Sequence, residues 1–153
     1  MLNIVLFEPE ISQNAGNIAR TCACTGASLH LVEPMGFRLS EKHLKRAAMD
    51  YWESVSIYRY ASTDDFLKQH SKDQLFFFTG QATQLHTQVK YGENPYLIFG
   101  RESRGIDAEI LDRYKDRCVR IPMLGKSRSL NLSNAAAIGA YEVSRQWDFQ
   151  DLK

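Results

Sequence analysis

The sequence lacks the long apolar runs that cross membranes. Its apolar first segment, residues 1–7, is followed at once by a glutamate and a proline, so it is too short for a signal peptide or a spanning helix. We therefore expect no membrane partner and a cytoplasmic location. Cysteine is also scarce, because the three present (Cys22, Cys24 and Cys118) cannot all pair, and two of them face different ways on a predicted helix. We interpret them as reduced thiols.

The usual signs of a metal site or of a nucleic acid partner are missing too. The four histidines (His30, His43, His70 and His86) are scattered without ligand spacing, so no metal is predicted. A formal net charge of +1 gives none of the positive excess that marks many nucleic-acid-binding domains. We predict no DNA partner, and any contact with RNA must come from local basic patches.

The remaining composition is that of one globular domain covering residues 1–153. Hydrophobic residues make up 44% of the chain and charged residues 24%, with no linker or repeat. Strands are predicted at 2–7, 28–32, 56–60, 74–79, 96–99 and 118–121, and helices at 14–25, 40–48, 63–70, 106–114 and 135–147. This alternation predicts an α/β fold with a mostly parallel sheet flanked by helices, and by itself it favours a flavodoxin-like arrangement.

A loop at residues 121–134 joins the last predicted strand to a helix of small residues. Its Pro, Gly, Ser and Asn residues expose backbone donors and acceptors, and open α/β sheets bind ligands at such positions. The alternative is an ordinary turn in which Ser129, Asn131 or Ser133 caps the helix.

A second candidate stretch is the start of the helix at 14–25. With the apolar stripe of that helix facing inward, Asn14, Asn17 and Arg20 lie three apart along one ridge of the opposite face. Two amides and a guanidinium on one edge could meet a polar ligand. The alternative is a solvated helix face with Asn14 as the cap. Gly16 in the first turn suggests close backbone approach, because glycine costs roughly 1 kcal/mol relative to alanine in a helix.

The third stretch, residues 99–105, places two glycines around a charged turn after a predicted strand. It lacks both the G-x-G-x-x-G fingerprint and the ending of a P-loop, so a nucleoside triphosphate is not expected. Glu102 at the carboxyl end of the strand is positioned for a site, although a charged turn at the surface is the alternative.

Together, the three stretches resemble the motifs of the SPOUT class of RNA methyltransferases. The resemblance covers essentially the whole chain and is greatest to the minimal TrmL (YibK-like) branch, which methylates the wobble-nucleotide ribose of certain tRNAs. Departures are Arg101 where proline is usual, Ser12 where proline is frequent, Leu130 where methionine is common, and about one residue fewer between the second and third motifs.

The resemblance implies a deep C-terminal trefoil knot, whereas an unknotted chain is the general expectation. It also implies a pocket that holds S-adenosylmethionine, the methyl donor, in a bent form without a metal. Matching the motifs assigns six residues to that pocket, namely Phe78, Thr79, Gly100, Ile121, Ser129 and Leu130. The absence of a phosphate motif agrees with a ligand that needs apolar walls and backbone partners.

The resemblance gives the central catalytic role to Arg20. A guanidinium is effectively always protonated, so we expect Arg20, oriented by Asn14 and Glu102, to bind the RNA phosphate and stabilise the developing alkoxide. Ser129 and Asn131 would hold the nucleotide and the methyl donor in register. Two alternatives stay open, a transiently neutral Arg20 and Glu102 itself as the base.

The helix at 135–147 predicts a homodimer. Its first half is apolar on nearly every side, and one small domain can cover only one of those sides. In enzymes that the chain resembles, this helix and the first-motif helix pack across a dimer, and Arg20 of one subunit reaches the methyl donor of the other. The alternative is a central core helix in a monomer.

Six basic residues are candidates for binding tRNA: Lys42, His43, Lys45, Arg46, Lys126 and Arg128. The alternative for a basic helix face is that it is simply solvated. Other functions also stay open, namely a 2′-O-methyltransferase for another tRNA or rRNA site, or a non-catalytic RNA-binding or nucleotide-sensing module.

Overall fold

The computed structural model describes residues 1–38, 54–125, 129–150 and 152–153. Six strands form one sheet: β1 (Asn3–Phe7), β2 (Ser28–Val32), β3 (Ile57–Tyr60), β4 (Gln74–Phe78), β5 (Pro95–Phe99) and β6 (Cys118–Val119). The helices of the described residues are α1 (Ser12–Thr25), α2 (Thr63–Gln69), α3 (Ala108–Arg113), a short 3-10 turn (Lys115–Arg117) and α4 (Leu132–Gln146).

Within the part of the chain that the structure describes, all pairs of these strands are parallel, in the order β3-β2-β1-β5-β4-β6. The α/β class and the mostly parallel sheet predicted from the sequence are therefore confirmed. Because the strands are parallel, β1, β5, β4 and β6 all end at the same edge of the sheet. The loops that follow them meet there. The knot stays a prediction, as does the single domain.

Side chains alternate between the two faces along each strand. Because the central strands are buried throughout, both faces of the sheet are apolar and helices cover both. On one face, Ile4 and Leu6 of β1 pack in a cluster with residues of α1 and α4, and these two helices contact each other. On the other face, Val5 and Phe7 pack with Phe66 of α2 and with residues beside α3. No helix of the described residues is long and apolar enough to span a bilayer.

The last strand is shorter than predicted, since β6 contains two residues and the prediction gave four. The reason is that Arg120 no longer pairs with β4 and pairs instead with the loop that follows β4. Its N–H donates to the carbonyl of Gln84 (2.9 Å), and its carbonyl accepts from the N–H of His86 (3.0 Å). Ile121 therefore lies in the loop rather than in a strand.

Helix boundaries differ from the predictions by a few residues. Helix α1 begins at Ser12 rather than at Asn14, α3 begins at Ala108 rather than at 106, and α4 begins at Leu132 rather than at 135. The early start of α4 reflects capping, because the side chain of Asn131 accepts from the N–H of Ser133 (2.8 Å). The helix predicted at 40–48 lies outside the described residues.

A buried polar network lies on the sheet face that α2 covers. His30 Nδ1 contacts the hydroxyl of Tyr60 (2.8 Å), and His30 Nε2 contacts Asn3 Oδ1 (3.2 Å). The same hydroxyl contacts His70 Nε2 (2.9 Å), whose ring pairs with Asp73 (2.8 Å). Burial, with a smaller contribution from the charge of His70, lowers the pKa of His30 to about 4. His30 is therefore neutral in the folded protein at neutral pH.

This low pKa predicts a loss of stability in weak acid. The unfolded chain takes up a proton at this position below about pH 6.5, whereas the folded chain does so only near pH 4. The stability that neutral His30 contributes is therefore present above about pH 6.5 and is lost as the pH falls towards 4. Between about pH 7 and pH 5, the free energy of unfolding should fall by about 2 kcal/mol more in the parent than in His30→Gln. Urea titrations at both pH values measure this difference, and equal losses would contradict it.

Candidate functional site

A cavity of about 900 Å³ opens where the loops after β4, β5 and β6 meet. All six residues predicted to hold the methyl donor line it: Phe78, Thr79, Gly100, Ile121, Ser129 and Leu130. Four of the five predicted catalytic residues line it, since Asn14, Glu102 and Asn131 join Ser129 there. The structure thus gathers residues from all three candidate stretches around one space.

The floor of the cavity is aromatic and closely packed. The ring of Phe78 stacks on that of Phe99 with centroids 4.6 Å apart. Gly139 of α4 lies against the same ring, since a Cβ at that position would stand 3.1 Å from the end of Phe78. The absence of a side chain at Gly139 lets α4 approach the sheet directly beneath the cavity.

Asn14 connects the first stretch to the other two. Its amide nitrogen donates to Glu102 Oε1 (3.0 Å), and its amide oxygen accepts from Asn131 Nδ2 (3.1 Å). The prediction that Asn14 lies on the outward ridge of α1 is wrong, because this residue is buried with 5% exposure. Asn17 and Arg20 are exposed as predicted. The capping alternative for Asn14 is wrong too, because Ile11 occupies the N-cap position and Asn14 lies in the first turn.

Glu102 is held by three donors at the start of α1. Its carboxylate accepts from the backbone N–H of Glu10 (2.8 Å) and of Ile11 (3.2 Å), in addition to the amide of Asn14. A carboxylate suits this place, because the first N–H groups of a helix have no partner within it and carry partial positive charge. These three bonds fix the carboxylate between the loop before α1 and the first turn of α1.

Asn131 makes two contacts that bear on the alternatives left open by the sequence. Its side-chain oxygen caps α4, while its nitrogen reaches Asn14 across the cavity edge. The capping interpretation is confirmed, and the predicted role of this residue at the site stays a prediction. Arg20, by contrast, does not line the cavity, although it lies two turns along α1 from Asn14. Lys42, Lys45, Arg46, Lys126, Arg128 and His43 lie outside the described residues.

The turn at 100–105 is tight, and its glycines explain how it closes. A Cβ on Gly100 would stand 2.2 Å from the carbonyl carbon of Gly105, which no side chain permits. Gly105 has a φ of +72°, in the left-handed region that glycine adopts readily. Two backbone bonds between Arg101 and Gly105 (3.1 and 2.8 Å) close the turn.

The charged side chains of this turn are only partly at the surface. Ser103 and Arg104 are exposed, whereas the Arg101 side chain is 10% exposed and pairs with Glu8 (2.6 Å) and Asp107 (2.8 Å). The Arg101 hydrogen bond is the main reason that the pKa of Asp107 is lowered, and the pKa of Arg101 is raised in turn. The alternative of a simple exposed turn is therefore wrong for Arg101.

Sequence reasoning missed the role of the residues that follow β1. Glu10 accepts from the N–H (2.8 Å) and the hydroxyl (2.9 Å) of Ser103, and these bonds lower its pKa. With Ile11 it also supplies backbone donors to Glu102. The sequence feature that could have indicated this role is the position of Glu10 and Ile11, which follow the carboxyl end of a central parallel strand and lie beside the turn after β5. Among the described residues, no group of histidine, cysteine and acidic side chains could hold a metal.

The chain is similar to several known methyltransferases. The SpoU rRNA Methylase family matches residues 1–141. A tRNA (cytidine(34)-2′-O)-methyltransferase of Saccharophagus degradans is 50% identical over 100% of both chains. A structure described as giving insights into 2-OH methylation of C/U34 on tRNA has a TM-score of 0.91 at 43% identity, over 98% of each chain. An AdoMet-bound rRNA methyltransferase from Sinorhizobium meliloti has a TM-score of 0.84 at 27% identity, over 94% of this chain and 56% of that one.

The packing of Gly100 makes a prediction about the cavity wall. Gly100→Ala should reduce the free energy of unfolding by about 1–3 kcal/mol, because backbone rather than a flexible side chain must move. Gly80→Ala is the matched control, since Gly80 lines the same cavity and a Cβ there meets nothing within 4 Å. Its effect should stay within about 0.5 kcal/mol. Thermal unfolding followed by circular dichroism compares the two, and equal midpoints would contradict the prediction.

Proposed function

Because the chain belongs to the SpoU rRNA Methylase family, we propose that it transfers a methyl group from S-adenosylmethionine to the ribose 2′-hydroxyl of the wobble nucleotide, position 34, of tRNA. The observation that carries this proposal is the meeting of the three stretches around one cavity in a chain whose full-length relatives have this named activity. A tRNA substrate also agrees with the cytoplasmic location predicted from the sequence.

The cavity suits the methyl donor in size and in chemistry. Its volume of about 900 Å³ falls within the usual range for small-molecule sites, about 300–1,000 Å³. Phe78, Ile121 and Leu130 offer apolar walls for a purine and for the carbon chain of the methionine part, while Thr79 and Ser129 bring hydroxyl-bearing residues to the same cavity. When bound, the donor supplies an electrophilic methyl group on a sulfonium. We therefore propose Phe78, Thr79, Gly100, Ile121, Ser129 and Leu130 as its binding residues.

The protein must then make a ribose hydroxyl reactive. We assign this to the Arg20 guanidinium, which would bind the neighbouring phosphate and stabilise negative charge developing on the 2′-oxygen. The hydroxyl proton would pass to water as the oxygen takes the methyl group, and S-adenosylhomocysteine would be the leaving product. Glu102 is a positioning residue in this scheme, because its carboxylate already accepts from two backbone N–H groups and from Asn14. Ser129 and Asn131 lie at the same cavity and would keep the nucleotide and the donor in register.

A homodimer would bring Arg20 to the reaction. In the single chain Arg20 is exposed and does not line its own cavity, so delivery to the cavity of a second copy is a direct way to use it. Apolar side chains on the outer face of α4 support such a contact, since Ile138 is 39% exposed and Tyr141 is 48% exposed. The inner face of α4 (Ala136, Gly139, Ala140, Val143) already packs on the sheet.

Methyl transfer from labelled donor to tRNA tests the proposed activity. We expect label on the ribose of nucleotide 34, located by nuclease digestion and mass spectrometry. Arg20→Ala should slow single-turnover transfer by about 10²- to 10³-fold through lost charge stabilisation. Arg20→Lys should retain part of the rate if its cation reaches the oxygen. Arg113→Ala, an exposed change at the end of α3, is the control.

Two other results would contradict this assignment. Full activity of Arg20→Ala would remove Arg20 from the mechanism. Binding of donor and tRNA without transfer by the folded parent would favour the non-catalytic RNA-binding module.

Light scattering tests the proposed dimer. At micromolar concentration the parent should have twice the chain mass of 17.5 kDa. Tyr141→Lys should shift the mass towards that of one chain, because it places a charge in the apolar contact. Tyr58→Lys, which changes an equally exposed tyrosine on β3, is the control. A parent that is monomeric under these conditions would contradict the proposal.

A further inference from the structure

Two turns at the cavity edge are joined by hydrogen bonds, and each turn contributes side chains that bond to the other. We call residues 8–11, after β1, the first turn, and residues 100–105, after β5, the second turn. From the first turn, the carboxylates of Glu8 and Glu10 accept from Arg101 and Ser103 of the second. From the second, Glu102 accepts from backbone N–H groups of the first. Neither turn can shift without disturbing bonds made by the other.

Arg101 is the most extensively bonded side chain in this arrangement. Its Nε donates to Glu8 Oε2 (2.7 Å), and its two terminal nitrogens donate to the two oxygens of Asp107 (2.8 and 3.2 Å). The guanidinium thus bridges a carboxylate before α1 and a carboxylate at the start of α3. Its side chain is 10% exposed and that of Glu8 is 16% exposed, so water screens this pair little.

Both acidic partners depart from ordinary local geometry. Glu8 has a φ of +52°, in the left-handed region that residues other than glycine rarely adopt. Asp107 stands at the N-cap of α3, yet its side chain makes no capping bond and bonds Arg101 instead. Aspartate in this position normally caps the helix. Such departures persist where surrounding interactions hold them, and they concentrate at functional sites.

From these contacts we propose that Arg101 is a positioning residue for methyl transfer, which fixes the second turn against the first and so keeps Glu102 on the amides of Glu10 and Ile11. The inference rests on the proposed function, since it assigns Arg101 a part in that reaction. Arg101 is one of the residues that line the cavity, and in this role it acts through Glu102 and Asn14 on the first turn of α1 rather than by binding the donor or the RNA.

Turnover and amide exchange in Arg101→Gln test this role together. The variant should lower kcat by about 10- to 100-fold, because small displacements of a catalytic group have effects of this size. The KM for S-adenosylmethionine should change less than about three-fold. The kcat of Arg101→Lys should lie between those of the parent and of Arg101→Gln, since the point charge of a lysine cannot hold both carboxylates as the planar guanidinium does. Glu8→Gln, which removes one of the two carboxylates that Arg101 bonds, should also lower kcat.

Hydrogen exchange gives a second readout that does not require activity. The amides of Glu10 and Ile11 should exchange faster in Arg101→Gln than in the parent, while amides within β1 keep their protection. Arg59→Gln is the matched control, because it breaks an ion pair with Glu33 (2.7 Å) on the exposed side of β3. It should leave kcat and the two amides unchanged.

Three outcomes would overturn the proposal. The first is unchanged turnover and unchanged exchange in Arg101→Gln. The second is faster exchange throughout β1, which would make Arg101 a general stabilising residue. The third is an equal loss of kcat in Arg59→Gln. A parent that transfers no methyl group would instead overturn the proposed function, and the exchange of the Glu10 and Ile11 amides would still decide whether Arg101 holds Glu102.

Discussion

The hydrogen bonds of the Glu102 carboxylate are the interaction on which the site depends. They join the turn after β5 to the first residues of α1, and Asn14 extends them to Asn131 at the start of α4. The participants are separated by 88 and by 117 positions in the sequence. A carboxylate accepting from the backbone N–H groups at and just before the N-cap of a helix is a strong arrangement, because charge strengthens each bond and the helix end needs a partner.

The parallel sheet makes this meeting possible. Strand β1 lies between β2 and β5, and Leu6 near the end of β1 pairs with Phe99 at the end of β5. The turns that leave these two strands are therefore neighbours. Strands β4 and β6 end beside them and contribute the opposite wall of the cavity. The site is thus a consequence of strand order and strand direction rather than of any one motif.

Much of this could be predicted from the chain alone. Apolar runs bounded by turn residues located all six strands, and the alternation with helices indicated the parallel sheet. The resemblance in three motifs selected the nine cavity residues that the structure brings together. Periodicity misplaced Asn14, because the helix starts two residues earlier than expected and its first turn faces the loops. The end of β6 was missed for a similar reason, since the bonds of Arg120 to Gln84 and His86 are long-range and leave no local signature.

The distances in sequence between the cavity residues also affect how the protein folds. Contacts between residues about a hundred positions apart close large loops, and such contacts form late and slowly. The bond between Asn14 and Asn131 needs α1, the β5 turn and the cap of α4 all in place, so a partly folded chain has no cavity. A small molecule that binds there binds only the completed fold, and by mass action it draws the population towards that state. Occupancy of the cavity is therefore also a measure of how much of the protein has finished folding.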